Sequence, residues 1–291
     1  MRNAIANCII EAAQKDSNVF LISGDAGLGV WDAFKEEYKE QYINPGINES
    51  LCVSMAAGLA LCGKKVVYYN IAPFVIMRPY EQVRNDICYQ ELSVILVGTG
   101  SGLTYMPSGM THYALEDIGL ALSLPNLDIF SPCDPAEAQA CFSYAYHSKK
   151  PSYIRIPKAG EPNLHHEKIG DITKLQFLLR NKSDILLLSH SSIIQEVLKA
   201  GEILGCDVAS KPFINSMDFN LDSYRIVFVV EEHFSYGGLG TFLKSCTNAN
   251  IEIIAVPNQY VHLIGNCDYG RASFGIDCEG IVKFVKKKME S

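Results

Sequence analysis

The residues best placed for chemistry in this chain are a carboxylate, a histidine and two arginines. Glu49 stands at the mouth of the run NPGINESLCVSMAAGLA, from Asn44 to Ala60. Pro45 and Gly46 break the chain ahead of it. Ser54, Ala56, Ala57, Gly58 and Ala60 permit close approach of a neighbouring backbone, so the segment reads as a buried helix. A carboxylate in the first turn of such a helix is either a dipole-stabilised cap or a positioned acid or base. His112 ends the loop sequence Gly109-Met110-Thr111-His112. There it can donate to a developing alkoxide or move protons between oxygens, or it can be an ordinary surface or core histidine. Arg78 and Arg155 can each grip a phosphate bidentately, or serve in an ion pair or as a solvated charge. Arg155 sits in an otherwise apolar strand, an awkward place for a guanidinium without a partner. Asp25 lies in the turn Ser23-Gly24-Asp25-Ala26-Gly27, where a plain turn aspartate is equally expected.

The elements that must position these groups alternate between strand and helix. A helix over 4–14 is followed by a strand over 18–22, a helix over 31–42, the Glu49 helix over 46–60 and a strand over 65–70. A helix over 78–88, a strand over 93–98 and a glycine-rich loop containing His112 come next. Helix 116–124, strand 127–131, helix 134–147 with Asp134 as cap and Pro135 at its first position, and strand 153–156 complete this half. Residues 157–171 are polar, with two prolines and two glycines, and read as a linker. Strands over 184–189, 225–230 and 251–256 then alternate with helices over 193–204, 238–246 and 279–288. The pattern predicts an α/β chain of two consecutive domains, 1–165 and 172–291, each with a mostly parallel sheet flanked by helices. Ligands of such folds gather at the carboxyl ends of strands, which is where Asp25, Glu49, His112 and Arg155 are expected.

Composition narrows the field. A chain of 291 residues is long enough for two domains. Its net charge of −7 argues against a nucleic-acid surface. No apolar run approaches the roughly 20 residues of a membrane span. The amino-terminal segment lacks the layout of a signal peptide. The ten cysteines are scattered, with no pair at CxxC spacing. They read as free thiols in a reducing cytoplasm, and no metal site is expected from their spacing to the histidines.

Four stretches, in order, carry a resemblance. GINESLCVSMAAGLAL resembles the segment around the thiamine-activating glutamate of the transketolase family. SGMTHYALEDIGLALSLPNLDIFSPCDPAEA resembles that family's GxTH loop and the helix and strand that follow. PSYIRIPK resembles its strand bearing a substrate-binding arginine, and VVEEHFSYGGLG resembles the signature of its third domain. The match covers nearly the whole chain but corresponds to the C-terminal half of a transketolase, beginning at the pyrimidine-binding domain. Gly24-Asp25-Ala26 is only superficially similar to the family's metal-binding GDG.

The resemblance implies a C-terminal subunit of a thiamine-diphosphate-dependent enzyme that moves a two-carbon ketol unit from a ketose phosphate to an aldose. Glu49 would be the acid that exchanges a proton with the aminopyrimidine, a task suited to a buried carboxyl. His112 would be the second catalytic residue. Phe74 would stack on the pyrimidine, and Asp25 could touch the cofactor. Arg155, Arg78 and Arg2 would hold the substrate phosphate. The diphosphate and its Mg2+ would be held mainly by a separate N-terminal subunit in an α2β2 assembly. The loop Gly98–Leu103 lacks the histidine expected near it, and Ser108 replaces an aspartate, which leaves the sugar open. The alternatives are a 2-oxoacid dehydrogenase beta subunit or deoxyxylulose-phosphate-synthase-like decarboxylating enzyme, and a non-catalytic assembly subunit.

Overall fold

The computed structural model describes residues 1–158 and 160–290. Helix α1 (Arg2–Lys15) buries Ile5, Ile9, Ala12 and Ala13, a stripe at helical spacing. It leads into strand β1 (Val19–Ile22). The helix expected over 31–42 is shorter. It consists of α2 (Asp32–Glu37), a single 3-10 turn at Lys39–Gln41 and the two-residue strand β2 (Tyr42–Ile43). Tyr42 and Ile43 pair with Leu21 and Ile22 of β1, so sheet pairing overrides the helical spacing of Phe34, Tyr38 and Tyr42.

Helix α3 (Glu49–Leu61) starts at Asn48, whose side chain accepts from the Leu51 amide. Strand β3 (Lys65–Ile71) follows. The single helix expected over 78–88 is instead a broken series: α4 (Ala72–Ile76), α5 (Tyr80–Gln82) and a π-type turn at Val83–Cys88. Pro79, which has no amide to donate, stands at the break between α4 and α5. Strand β4 (Val94–Thr99), helix α6 (Asp117–Leu122), strand β5 (Asp128–Phe130), helix α7 (Pro135–His147) and strand β6 (Ser152–Ile156) complete the first layer. Its sheet has the order β2-β1-β3-β4-β6-β5, and all its pairs are parallel. From β1 the chain goes outward to β2 and returns on the other side as β3. This reversal opens a crevice at the carboxyl ends of β1 and β3.

The second sheet is built from β7 (Gln176–Leu179), β8 (Ile185–Ser189), β9 (Asp207–Ser210), β10 (Ile226–Phe234) and β11 (Ile251–Val256), in the order β11-β10-β8-β9-β7. It is parallel except for β7, which lies antiparallel on β9. Helices α8 (Ile194–Leu204), α9 (Leu239–Cys246), α10 (Cys267–Phe274) and α11 (Cys278–Met289) flank it. The two sheets share a continuous apolar core that includes Ile118 and Ile129 from one side and Leu188 and Leu239 from the other. Their backbones are hydrogen-bonded directly, Ser131 N–H to the Pro212 carbonyl and Ile214 N–H to the Ile129 carbonyl, both at 2.8 Å. Helix α6 also passes close to the loop before α9, where a Cβ on Gly119 would lie 3.2 Å from the Gly237 carbonyl oxygen. All ten cysteines are unpaired. Among the described residues, no helix is long and apolar enough to cross a membrane.

Candidate active site

The turn after β1 and the approach to α3 are tied together at the crevice. A Cβ on Gly24 would come within 2.6 Å of the Gly46 carbonyl oxygen, so only glycine fits there. Asn44 Nδ2 donates to the Gly24 carbonyl at 3.2 Å. These contacts place the exposed Asp25 turn beside the segment that delivers Glu49. Glu49 is buried at the first position of α3, where the helix dipole favours its negative charge.

Arg78 Nη1 donates to Glu49 Oε1 at 2.7 Å, and its guanidinium lies 3.9 Å from the centroid of the Phe74 ring. Phe74, in α4, meets His112 edge-on with ring centroids 5.3 Å apart. The His112 Nδ1 lies 2.9 Å from the Thr111 hydroxyl. Tyr105 approaches the other side of this imidazole at 6.3 Å. Gly100, with φ +89°, lets the Tyr105 ring lie directly against the backbone, where a Cβ would collide with it. Glu49, Arg78, Phe74, His112 and Tyr105 thus form one continuous chain of contacts.

Arg2 is half-buried at the start of α1, and its Nε has no hydrogen-bond partner. Burial pushes the Tyr69 hydroxyl up to about 12, while Thr99 and the Arg2 charge pull the other way. The Tyr105 hydroxyl is likewise raised by burial against the pull of Thr99 and Arg2. The Arg2 cation therefore acts on Tyr105, which flanks His112, and on Tyr69 of β3.

Arg155, expected to hold a substrate phosphate, is instead found in an internal ion pair. Its side chain is fully buried. Nε donates to Asp117 Oδ2 at 2.7 Å, and Nη2 donates to the carbonyls of Ala114 at 2.8 Å and Glu232 at 3.1 Å. Tyr153 donates its hydroxyl to the same Asp117 oxygen. The partner that an arginine in an apolar strand requires is thus an internal aspartate. The guanidinium joins α6, β6 and β10 through Nε and Nη2, while its Nη1, also buried, has no hydrogen-bond partner.

The cation that does emerge from this strand is Lys158, two residues beyond its end. Its Nζ lies 5.5 Å from the Tyr105 ring centroid. Sequence reasoning stopped at Arg155 as the odd charge in the strand. The signal for Lys158 was Pro157, which ends the strand and frees the next side chain.

The match to known proteins agrees with this arrangement. The family model described as "Transketolase, pyrimidine binding domain" matches residues 1–161. A protein from Actinobacillus succinogenes, named as one of the subunits of an apulose-4-phosphate transketolase, is 32% identical over 86% of this chain and 85% of its own length. Its namesake from Phocaeicola vulgatus is 28% identical over 98% of this chain and 97% of its own. A solved structure titled as a split gene transketolase, inactive beta4 tetramer, superposes with a TM-score of 0.83 at 23% identity, covering 98% of this chain and 96% of that one. The chain belongs to the transketolase family: it carries the pyrimidine-binding domain followed by the C-terminal domain, and it is part of a transferase of that type.

Proposed function

We propose that this chain supplies the pyrimidine side of a thiamine diphosphate site and works with a separate diphosphate-binding subunit to transfer a two-carbon ketol unit from a ketose phosphate to an aldose. The observation that carries this reading is the Arg78 guanidinium between Phe74 and Glu49. It is a flat group with N–H donors, stacked on an aromatic face and donating to a buried carboxylate. An aminopyrimidine asks for the same two partners, so the residues present fit the cofactor once Arg78 swings aside. When bound, thiamine diphosphate supplies the nucleophilic carbon that allows the bond between C2 and C3 of the ketose to break.

The chain's own residues then have defined tasks. Glu49 holds and returns the proton at the pyrimidine ring nitrogen. Phe74 gives the ring its stacking face. His112, edge-on to Phe74, donates to substrate oxygens and accepts their protons as charge moves. Arg2, Arg78 and Lys158 supply positive charge for the substrate phosphate, and Asp25 approaches the cofactor from the turn after β1. Residues 1–165 form the cofactor half, and 172–291 form a domain for assembly. Mg2+ and the diphosphate go with the partner subunit in an α2β2 complex. The ten unpaired cysteines support a reducing, cytoplasmic setting.

The test is to purify the chain alone and with its diphosphate-domain partner, titrate each with thiamine diphosphate and Mg2+ by calorimetry, and then screen donors. The expected result is tight binding by the complex alone and turnover of ketose phosphates. The names of the matched relatives make apulose 4-phosphate the first donor to try. Turnover by this chain alone, or pyruvate as the preferred donor, would overturn the reading.

A further inference from the structure

A second group of side chains lies apart from this chain of contacts, where the linker crosses the start of α7. Cys133, Glu137 and His165 bring a thiol, a carboxylate and an imidazole together, with their ligating atoms within 4.8 Å of one another. Cys133 and Glu137 are fully buried. Asp134 organises the group. Its Oδ1 accepts from the Glu137 amide at 2.8 Å. Its Oδ2 accepts from the amides of Leu164 and His165, at 2.9 and 2.8 Å, and lies 3.1 Å from His165 Nδ1. In the neutral imidazole that last contact assigns the ring proton to Nδ1 and leaves the Nε2 lone pair free.

Glu137 is held just as firmly. Its Oε2 accepts from the Cys133 amide at 2.7 Å and from the Ser210 hydroxyl, on the second sheet, at 3.0 Å. The other oxygen, Oε1, is turned toward His165 Nε2 at 3.8 Å. Both of these atoms are buried and have no hydrogen-bond partner. An acceptor facing an acceptor out of water is costly unless a positive group lies between them.

We propose that Cys133, Glu137 and His165 bind a divalent transition-metal ion, zinc by the character of its donors, in a structural site that fastens the linker to both domains. Thiolate, imidazole and carboxylate together suit zinc. With bonds of about 2.1 Å to N and O and about 2.3 Å to S, tetrahedral geometry sets the donors ~3.4–3.6 Å apart. The Glu137–His165 pair, at 3.8 Å, needs to close by only a few tenths of an ångström, and the pairs with Cys133, within 4.8 Å, by up to about 1 Å. Asp134 on Nδ1 is the outer carboxylate that orients a metal-bound histidine. His165 also lines a groove of about 1180 Å³ alongside α7. Cysteine and glutamate come from the first domain, histidine from the linker, and the supporting serine from the second sheet. Bound metal would therefore hold all three in place.

The experiment is to strip the full-length protein of metal and titrate it with Co2+ as a spectroscopic substitute for zinc. About one equivalent is expected to bind, with the strong near-ultraviolet absorption of a cobalt–thiolate bond, and Zn2+ should displace it. Cys133→Ser should abolish that absorption while the circular dichroism stays native. His165→Ala, which alters a linker side chain, should weaken Co2+ binding roughly tenfold or more. Absence of the thiolate absorption from the wild-type protein would overturn the proposal and leave a proton shared between Glu137 and His165. Survival of the absorption in Cys133→Ser would overturn it by assigning the metal to another cysteine. If Cys133→Ser fails to fold, the wild-type spectrum and its weakening in His165→Ala decide the matter.

Discussion

Arg78 Nη1 lies 2.7 Å from Glu49 Oε1, and the two side chains differ sharply in exposure, 52% for the arginine and 10% for the glutamate. A half-exposed cation thus holds a fixed, buried acid. A surface-facing ion pair of this kind contributes little to stability, on the order of 0–1 kcal/mol, so it can be exchanged for a ligand at small cost. Arg78→Met removes the charge and the planar donor together. The expected outcome is unchanged or tighter thiamine diphosphate binding by the complex, with KM for phosphorylated donors raised about tenfold. Weaker cofactor binding in calorimetry would mean that Arg78 supports the pyrimidine and does not yield to it.

Glu49→Gln preserves the shape of the first turn of α3 but cannot exchange a proton. Activity of the reconstituted complex should fall by about 10²–10⁴-fold, the usual range for loss of a general acid or base. The thermal midpoint should change little, because Asn48 still caps the helix. Full activity in this variant would leave Glu49 as a cap and the chain as an assembly subunit.

The Arg155–Asp117 pair makes the opposite prediction. Both partners are fully buried, and removing one strands the other's charge, a loss of about 3–5 kcal/mol. Asp117→Asn should therefore lower stability strongly, read as the denaturant midpoint, because Arg155 also ties Ala114 and Glu232 across the two sheets. The KM for phosphorylated donors should stay near the wild-type value in whatever protein folds. A selective rise in KM would return Arg155 to a substrate role.

Lys158, two residues beyond the Arg155 strand, reaches the Tyr105 ring, with Nζ 5.5 Å from its centroid. Lys158→Ala should raise KM for a phosphorylated donor by roughly tenfold, the cost of one charge-assisted bond, and leave kcat and the thermal midpoint unchanged. Equal effects on phosphorylated and unphosphorylated donors would place its role elsewhere.

Much of this arrangement was legible in the sequence, because local chemistry and tertiary structure agree there. Glu49 marks the first turn of a helix by composition alone, although the pattern predicts a start at residue 46 and the helix begins at Glu49, capped by Asn48. The apolar runs of β1, β3, β4, β8, β10 and β11 read as strands because parallel sheets bury both faces. Legibility failed where long-range contacts decide. Tyr42 keeps helical spacing from Phe34 and Tyr38, yet it pairs with Leu21 in the sheet. Strands β7 and β9, four residues each, are not expected from the sequence: QFLL and DVAS lack the longer apolar runs of the other strands. Strand β10 continues through Glu231, Glu232 and His233, all buried, beyond the strand expected over 225–230, because the partners of its two carboxylates are known only from the fold. The partner of Arg155 was hidden for the same reason: Asp117 is distant in sequence, and only the fold shows that it takes up the Arg155 Nε.

That buried polar seam also makes stability depend on pH. His190 is fully buried, with Nδ1 2.9 Å from the Ser131 hydroxyl. Burial pushes its pKa below the ordinary value, and the Arg155 and His233 charges add to this, against an opposing pull from Glu231. Burial raises the Glu231 carboxyl. His190, the His233 charge and the amide at Gly240 more than reverse that and hold it below the usual carboxylate value. At 3.7 Å the His190–Glu231 contact is too long for a hydrogen bond. The amides of Leu239 and Gly240, at 2.8 and 3.0 Å, are the firmer partners that keep Glu231 ionised. For His190, the unfolded chain binds the proton more readily than the folded one. Its contribution to stability is therefore lost as pH falls below about 6.5. Glu231 contributes stability above about 4.5 and loses it below. Burial lowers the pKa of His165, but Asp134 and Glu137 more than offset this, so His165 acts in the opposite sense. The informative quantity is thus the difference between wild type and His190→Gln. Between about pH 7 and pH 5, the wild-type denaturant midpoint should fall more steeply than that of the variant. Parallel slopes for the two proteins would mean that His190 takes up its proton inside the folded seam.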